Sequence, residues 1–203
     1  MAPKVFVVSY SVYGHVSKLT ESIVKGLQKT GKVEVKQFQF PETLSEDIRK
    51  AIRAKPLPSI PEITVADLPK ADGILFGFPT RYGNAPGQVR SFLDSTGSLF
   101  ASSALYGKAG GVYTSTASQH GGQEVTAASF LSNFAHLGMV YVPIGYKSPH
   151  LSDNTEIVGG SPWGAGAIAN NDGSRQPTAK ELAIAEFQGE EFAKVVEKLA
   201  SSK

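Results

Sequence analysis

Ser9, Tyr10, Ser11, Val12, Tyr13, Gly14, His15 and Val16 place hydroxyls, a glycine and an imidazole between an apolar run, residues 5–8, and a helical pattern. At the start of a helix such residues suit an anion. The first turn leaves backbone N–H groups without helical partners, and the helix dipole favours negative charge there. Ser9, Ser11 and Ser17 add hydroxyl donors, and Gly14 lets the backbone come close to a ligand. The stretch reads as a phosphate cradle, although alone it is also an ordinary strand–helix junction capped by serine. Residues 78–84 and 115–122 are composed in the same way, rich in Gly, Ser, Thr, Tyr or His and poor in carboxylates.

Such loops need a scaffold that gathers them. Residues 5–8 and Ile74, Leu75 and Phe76 are continuously apolar, as strands covered on both faces are. Residues 33–38 alternate instead, like a half-exposed edge strand, and further strands are predicted over 109–115 and 139–142. Helical patterns fall between them. The first runs through Val16, Leu19, Ile23, Val24 and Leu27 to Gly31; a short second follows a capping-box pair, Thr43 and Glu46, and ends near Ala54. Others run through Val89, Phe92 and Leu93, and through Val125, Ala128, Leu131 and Phe134. A last helix, opened by Thr178 and Glu181, turns Leu182, Ala185, Phe192, Val196 and Leu199 inward.

This alternation predicts an α/β fold, a flavodoxin-like doubly wound parallel sheet of five strands in the order 2-1-3-4-5, within a three-layer sandwich. It is expected to form a single domain over residues 1–203. In open sheets of this kind ligands bind outside the carboxyl ends of the strands, at the switch point. That edge gathers the three loops, so a phosphate in the first leaves the other two to clasp a flat, hydrogen-bonding ring. Residues 143–177 show no periodicity but carry Ile157, Val158, Trp163 and Ile168, and are predicted to be an ordered insertion at a subunit interface.

Composition removes other classes. Of 203 residues, 41% are hydrophobic and 19% charged, with a net charge of +2 and no block of Lys or Arg, so neither nucleic acid nor an anionic membrane is an expected partner. There is no cysteine, hence no disulfide, thiolate metal site or cysteine nucleophile. His15, His120, His136 and His150 lack metal-ligand spacing, so no metal is expected, and no Gly-x-Ser-x-Gly elbow marks a serine hydrolase. The first apolar run stops at Ser9 and no stretch approaches the roughly 20 apolar residues of a membrane span. The expected compartment is the cytoplasm, without integral membrane association.

Residues 11–16 (Ser-Val-Tyr-Gly-His-Val), 79–84 (Pro-Thr-Arg-Tyr-Gly-Asn), 159–164 (Gly-Gly-Ser-Pro-Trp-Gly) and 173–177 (Gly-Ser-Arg-Gln-Pro) resemble the WrbA family of flavodoxin-like NAD(P)H:quinone oxidoreductases. The similarity runs nearly end to end, and the Gln119-His120 form of the third loop resembles fungal members. The resemblance implies FMN as cofactor, NADH or NADPH as electron donor, a quinone as substrate, and a homotetramer (a dimer of dimers) with active sites between subunits. By matching position, Ser11, Val12, Tyr13, Gly14, His15 and Val16 hold the phosphate. Pro79, Thr80, Arg81, Tyr82, Gly83 and Asn84 meet the ring, with Ser115, Thr116, Ala117, Ser118, Gln119, His120 and Gly121 on its pyrimidine side. Tyr13 helps to receive the nucleotide and His136 approaches the flavin; Tyr82, Phe100 and His136 form the catalytic set, an aromatic slot for planar quinones. Phe100 stands where the family usually has a substrate-stacking Trp, and the third loop is one residue longer than the bacterial form, which leaves quinone preference open. The implied function is two-electron quinone reduction in ping-pong order, serving quinone detoxification and oxidative-stress protection. Two alternatives stay open: an electron-transfer flavodoxin, against which the slightly positive charge argues, and a flavin-binding regulatory or scaffold protein.

Overall fold

In the computed structural model of the protein, residues 2–201 are described. The elements run β1 (Lys4–Ser9), α1 (His15–Lys29), β2 (Glu34–Gln39), α2 (Glu46–Ala51), a 3₁₀ turn (Leu68–Lys70), β3 (Gly73–Pro79), α3 (Gly87–Asp94), α4 (Gly97–Ala101) and β4 (Ala109–Thr116). There follow α5 (Gln123–Leu137), β5 (Val140–Tyr141), a second 3₁₀ turn (Pro149–Leu151), β6 (Gly166–Ile168) and α6 (Ala179–Ser201). The sheet order is β2-β1-β3-β4-β5, all parallel, as the alternation predicts. Central β1, β3 and β4 bury nearly every residue, whereas edge strand β2 alternates.

The two faces of the sheet feed two cores. Phe6, Val8, Ile74 and Phe76 pack with Val89, Phe92, Phe130 and Phe134 of α3 and α5. Val5, Val7, Leu75 and Tyr113 pack with Leu19, Ile23 and Leu27 of α1 and with Ile184, Phe192 and Val196 of α6. Side chains alternate across a strand, so one apolar run serves both layers. Gly77 is required here for space, because a Cβ on it would lie 2.0 Å from the Tyr113 ring.

Three local expectations are corrected. A sixth strand, β6, emerges from the stretch without periodicity, since three residues are too few to show alternation. β5 pairs only with Ala109 and Gly110 of β4, and β6 pairs with Thr114, Ser115 and Thr116, so two short strands share the fifth position. Ser45 rather than Thr43 caps α2, its Oγ accepting the Ile48 N–H at 3.4 Å. On α5, Val125 and Ala128 face outward while Thr126, Ala127, Phe130 and Phe134 face in. Steps of three fall about 60° behind a 3.6-residue turn at each step, so the predicted stripe drifts off the buried face. The capping box of α6 does form: the Thr178 N–H donates to Glu181 Oε2 at 2.8 Å and the Glu181 N–H to Thr178 Oγ1 at 3.2 Å. Among the described residues no helix is long and apolar enough to cross a membrane.

Candidate active site

The loop after β1 is shaped by its own residues. The Gly14 N–H donates to Ser11 Oγ at 3.1 Å, and Gly14, at φ +90°, occupies the left-handed conformation that favours glycine. This turn starts α1 at His15, leaving the first N–H groups of the helix to face outward from its end. Ser11, Val12, Tyr13, His15 and Val16 line a small recess with Pro79, Arg81 and Ser115, and no carboxylate lines it. His15 is buried, and its Nε2–H donates to the Arg175 carbonyl at 3.0 Å.

The loop after β3 is a two-residue hairpin. Arg81 and Asn84 exchange N–H to carbonyl bonds of 2.8 and 3.0 Å around Tyr82 (φ +54°) and Gly83 (φ +76°). A tyrosine held at positive φ is uncommon, and its side chain is fully exposed. Thr80 Oγ1 fixes the turn, accepting the Gly83 N–H at 3.1 Å and bonding Thr126 Oγ1 of α5 at 2.7 Å. The loop after β4 is braced by Gln123, whose Nε2 donates to Thr116 Oγ1 (3.0 Å) and to the Ser118 carbonyl (2.8 Å). Ala117, Ser118, Gln119 and His120 are exposed, while Ser115 and Thr116 are buried. The Thr80 N–H donates to the Ser115 carbonyl at 2.9 Å and ties the second loop to the third.

Tyr13, His15, Pro79, Thr80, Arg81, Ser115, Thr116 and Ala117 thus line one cleft of about 580 Å³. Two walls of it were not anticipated. One is Ala169, Asn170, Asn171, Asp172, Gly173 and Gln176, brought over the cleft by β6; the other is Ile52, Arg53 and Lys55, just after α2. The run 173–177 carried a usable signal, since it was singled out as a motif, but nothing local placed it beside the phosphate loop.

A half-buried network supports the turn after α2. Glu42 accepts Arg49 Nη1 at 2.5 Å, the N–H groups of Thr43 and Leu44, and the Tyr10 hydroxyl at 3.3 Å; Arg49 Nη2 reaches the Lys55 carbonyl at 2.6 Å. Burial first, then the Glu42 carboxylate, push the Tyr10 phenol far above its ordinary pKa. The wall of residues 169–176 hangs on Glu181, which is fully buried. Its carboxylate accepts the N–H groups of Gly159 (2.9 Å), Ile168 (3.1 Å) and Thr178 (2.8 Å), and Arg175 Nη1 at 3.0 Å.

Phe100 and His136 are not in this cleft. Phe100 lies on α4, ahead of β4, and His136 in the last turn of α5, ahead of β5, so both sit at the amino-terminal edge of the parallel sheet. The Gly107 N–H to Gly138 carbonyl bond (2.8 Å) joins the two segments there. Phe100 (61% exposed), Tyr106 and Val140 are exposed apolar side chains at that edge, and His136 is exposed with them. Within one subunit Tyr82 therefore does not meet Phe100 or His136. Among the described residues no group of three or more His, Asp or Glu is placed to hold a metal.

The cleft fits FMN on its own chemistry. A recess of N–H and hydroxyl donors without carboxylates suits a phosphate dianion, and two polar loops beyond it suit a flat heterocycle. Comparison with known proteins gives the same direction. The family model for NADPH-dependent FMN reductase matches residues 3–150. Quinone-oxidoreductase QR2 of Triphysaria versicolor is 47% identical over 200 residues, covering 98% of both chains. NAD(P)H quinone oxidoreductase PST2 of Candida albicans is 48% identical over 194 residues, covering 96% of both. Among solved structures, a WrbA-like flavodoxin from Agrobacterium tumefaciens matches with a TM-score of 0.66 and 22% identity over 97% of this chain and 99% of its own, a likeness of fold.

Proposed function

This chain belongs to the NADPH-dependent FMN reductase family, and from that membership we propose that it is an FMN-dependent NAD(P)H:quinone oxidoreductase. The observation that carries the reading is the near-complete coverage by two named quinone oxidoreductases at 47% and 48% identity. The cleft agrees, because it offers a phosphate cradle and an open ring site on one edge.

When bound there, FMN supplies the two-electron exchange between nicotinamide and quinone. The protein's part is to hold and orient. Ser11, Val12, Tyr13, Gly14, His15 and Val16 hold the phosphate through backbone N–H groups and the Ser11 hydroxyl. Pro79, Thr80, Arg81, Tyr82, Gly83 and Asn84 support one side of the ring; Ser115, Thr116, Ala117, Ser118, Gln119, His120 and Gly121 support its pyrimidine side. Polar donors there favour negative charge that develops during reduction. Tyr82 is held in a strained turn with its ring in the open, an arrangement suited to a wall for a flat substrate. Nucleotide and quinone use this one slot in turn, which makes the kinetics ping-pong.

The chain works as one flavodoxin-like unit in a tetramer, a dimer of dimers. The support is the separation of Tyr82 from Phe100 and His136: a slot containing all three needs residues from two copies. The exposed apolar edge around Phe100, Tyr106 and Val140, together with residues 143–177, forms the contact. Passing both electrons together spares the cell one-electron quinone products, which is the basis of a role in quinone detoxification under oxidative stress in the cytoplasm.

The test uses purified protein. Released chromophore should run as FMN, and NADH or NADPH should be consumed beyond one equivalent per FMN only when benzoquinone is present; light scattering should give a tetramer. Absence of FMN, or no quinone-dependent consumption, sinks the activity, and a flavin-loaded monomer sinks the shared slot.

A further inference from the structure

The cleft continues past the three loops onto the turn after α2, where Arg53 and Lys55 line it beside Tyr13 and Ile52. Neither cation has been given a task by the phosphate cradle. Among the described residues, neither the Arg53 guanidinium nor the Lys55 ammonium makes an ion pair or a side-chain hydrogen bond. Lys25, Lys29, Lys32 and Lys147 behave differently, each meeting a glutamate of α6. The one carboxylate lining the cleft, Asp172, is engaged by the Ser174 N–H at 3.0 Å.

The turn is also fixed where it is. Arg49 bridges Glu42 and the Lys55 carbonyl, and the Lys55 N–H donates to the Val12 carbonyl at 2.8 Å. Arg53 stands at φ +55°, a conformation that favours glycine or asparagine just past a helix end. Two cations two residues apart are thus presented to the cleft, with the apolar surface of Ile52 next to them.

We propose that Arg53 and Lys55 form a second phosphate-monoester site, which receives the 2′-phosphate of NADPH and makes NADPH the preferred donor. The inference rests on the reductase reading above. NADH and NADPH differ only in that monoester on the adenosine ribose, so a pair of unpartnered cations is what can separate them. A guanidinium suits a phosphate because two N–H groups can donate to two of its oxygens, and the ammonium adds charge. Ile52 offers a flat apolar rest for the adjoining adenine. The cradle for FMN needs neither cation, since backbone N–H groups, hydroxyls and Arg81 already line it.

The experiment compares FMN-loaded wild type with Arg53→Ala, Lys55→Ala and the double variant. Two readouts are taken: kcat/KM for NADPH and for NADH with benzoquinone, and calorimetric binding of adenosine 2′,5′-bisphosphate against adenosine 5′-monophosphate. Wild type should favour NADPH and the bisphosphate by about tenfold, the worth of one charge-assisted phosphate contact. In the double variant both ratios should fall toward one, with the kinetic change in the KM for NADPH. Emission from Trp163, the single tryptophan, reports that the variants are folded. Equal wild-type binding of the two adenosine phosphates would overturn the site, as would a double variant that keeps the preference. Loss of FMN from the variants with the preference unchanged would assign the cations to the cradle and likewise overturn it. If neither nucleotide is oxidised the reductase reading fails, while the two adenosine phosphates still decide the site.

Discussion

Residues 11–16 close their turn on themselves, whereas residues 169–176, across the same cleft, are held by groups far away in sequence. In the first wall the bonds are short in sequence: Gly14 to Ser11, and Lys18 back to Gly14. In the other, the Ala169 N–H donates to the Thr116 carbonyl, Arg175 spans the Ile157 and Ile168 carbonyls, and Glu181 gathers Gly159, Ile168, Arg175 and Thr178. Gln188 supports the same segment, accepting the Ala165 N–H and donating to the Val112 carbonyl, both at 3.0 Å. The two walls meet where His15 donates to the Arg175 carbonyl and Lys18 Nζ to Gln176 Oε1 at 2.9 Å. A wall built from local turns fails one turn at a time; a wall hung on one buried carboxylate fails as a unit.

The sharpest test of that contrast is Glu181→Ala. It removes the charge partner of the Arg175 guanidinium, which keeps only the Ile157 and Ile168 carbonyls, and the acceptor of three backbone N–H groups. Removing one partner of a buried charge pair costs about 3–5 kcal/mol. Denaturant unfolding should show a loss of that size, and hydrogen exchange should speed up over residues 157–176 before the sheet opens. Glu181→Gln should lose less, since one acceptor oxygen remains. Slow exchange in that segment despite the alanine would show that the wall does not hang on Glu181.

Legibility divides along the same line. Strand order, the edge position of β2 and the three loops could be read, because continuous or alternating apolar runs and glycine-bearing turns are local signals. The capping box of Thr178 and Glu181 was legible too, but its acid is also the anchor of the second wall, a role that depends on contacts 13 and 22 residues away. β6 escaped notice because it is a strand only by pairing with β4. Phe100 and His136 were grouped with Tyr82 by resemblance, and within one subunit the parallel topology puts them at the opposite edge. Arg53 and Lys55 carried no motif at all, only two cations near a helix end.

Alkaline pH should strain both walls together. Tyr113 lies under them, its hydroxyl bonded to Thr20 of α1 at 2.7 Å and its ring over Gly77. Burial raises its pKa well above the usual value of 10.0, and burial also lifts Tyr141 to about 12. For a phenol raised on folding, the contribution is complete below the unfolded pKa and is lost as pH climbs above it. Stability should hold to about pH 10 and then drop by about 1.4 kcal/mol per further pH unit for the one fully buried phenol. Thermal melts of wild type and Tyr113→Phe check this: the variant should show a shallower alkaline decline, and equal slopes would remove Tyr113 from the account.

The hairpin around Tyr82 offers a smaller effect of opposite sign. Asparagine accepts positive φ more readily than tyrosine, so Tyr82→Asn should stabilise the fold by up to about 1 kcal/mol. Quinone turnover should fall in the same protein, because the exposed ring is lost. A midpoint shift upward with full turnover would mean that the strain is real but serves no substrate.

The smallest loss belongs to the locally built wall. Ser11→Ala removes one acceptor, that of the Gly14 N–H, at a half-buried position. Water can replace the serine oxygen there, so the cost is that of one ordinary hydrogen bond, about 0.5–1 kcal/mol. Gly14 keeps its left-handed conformation, and the Lys18 N–H still donates to its carbonyl at 3.1 Å, so the turn survives. Affinity for FMN should nevertheless fall, because the hydroxyl is one of the donors around the phosphate recess. Measured side by side, Ser11→Ala should weaken flavin binding with little change in unfolding midpoint, and Glu181→Ala should do the reverse in emphasis, lowering the midpoint most. Should Ser11→Ala unfold the protein as readily as Glu181→Ala, the first wall is not self-supporting and the two walls are one structure.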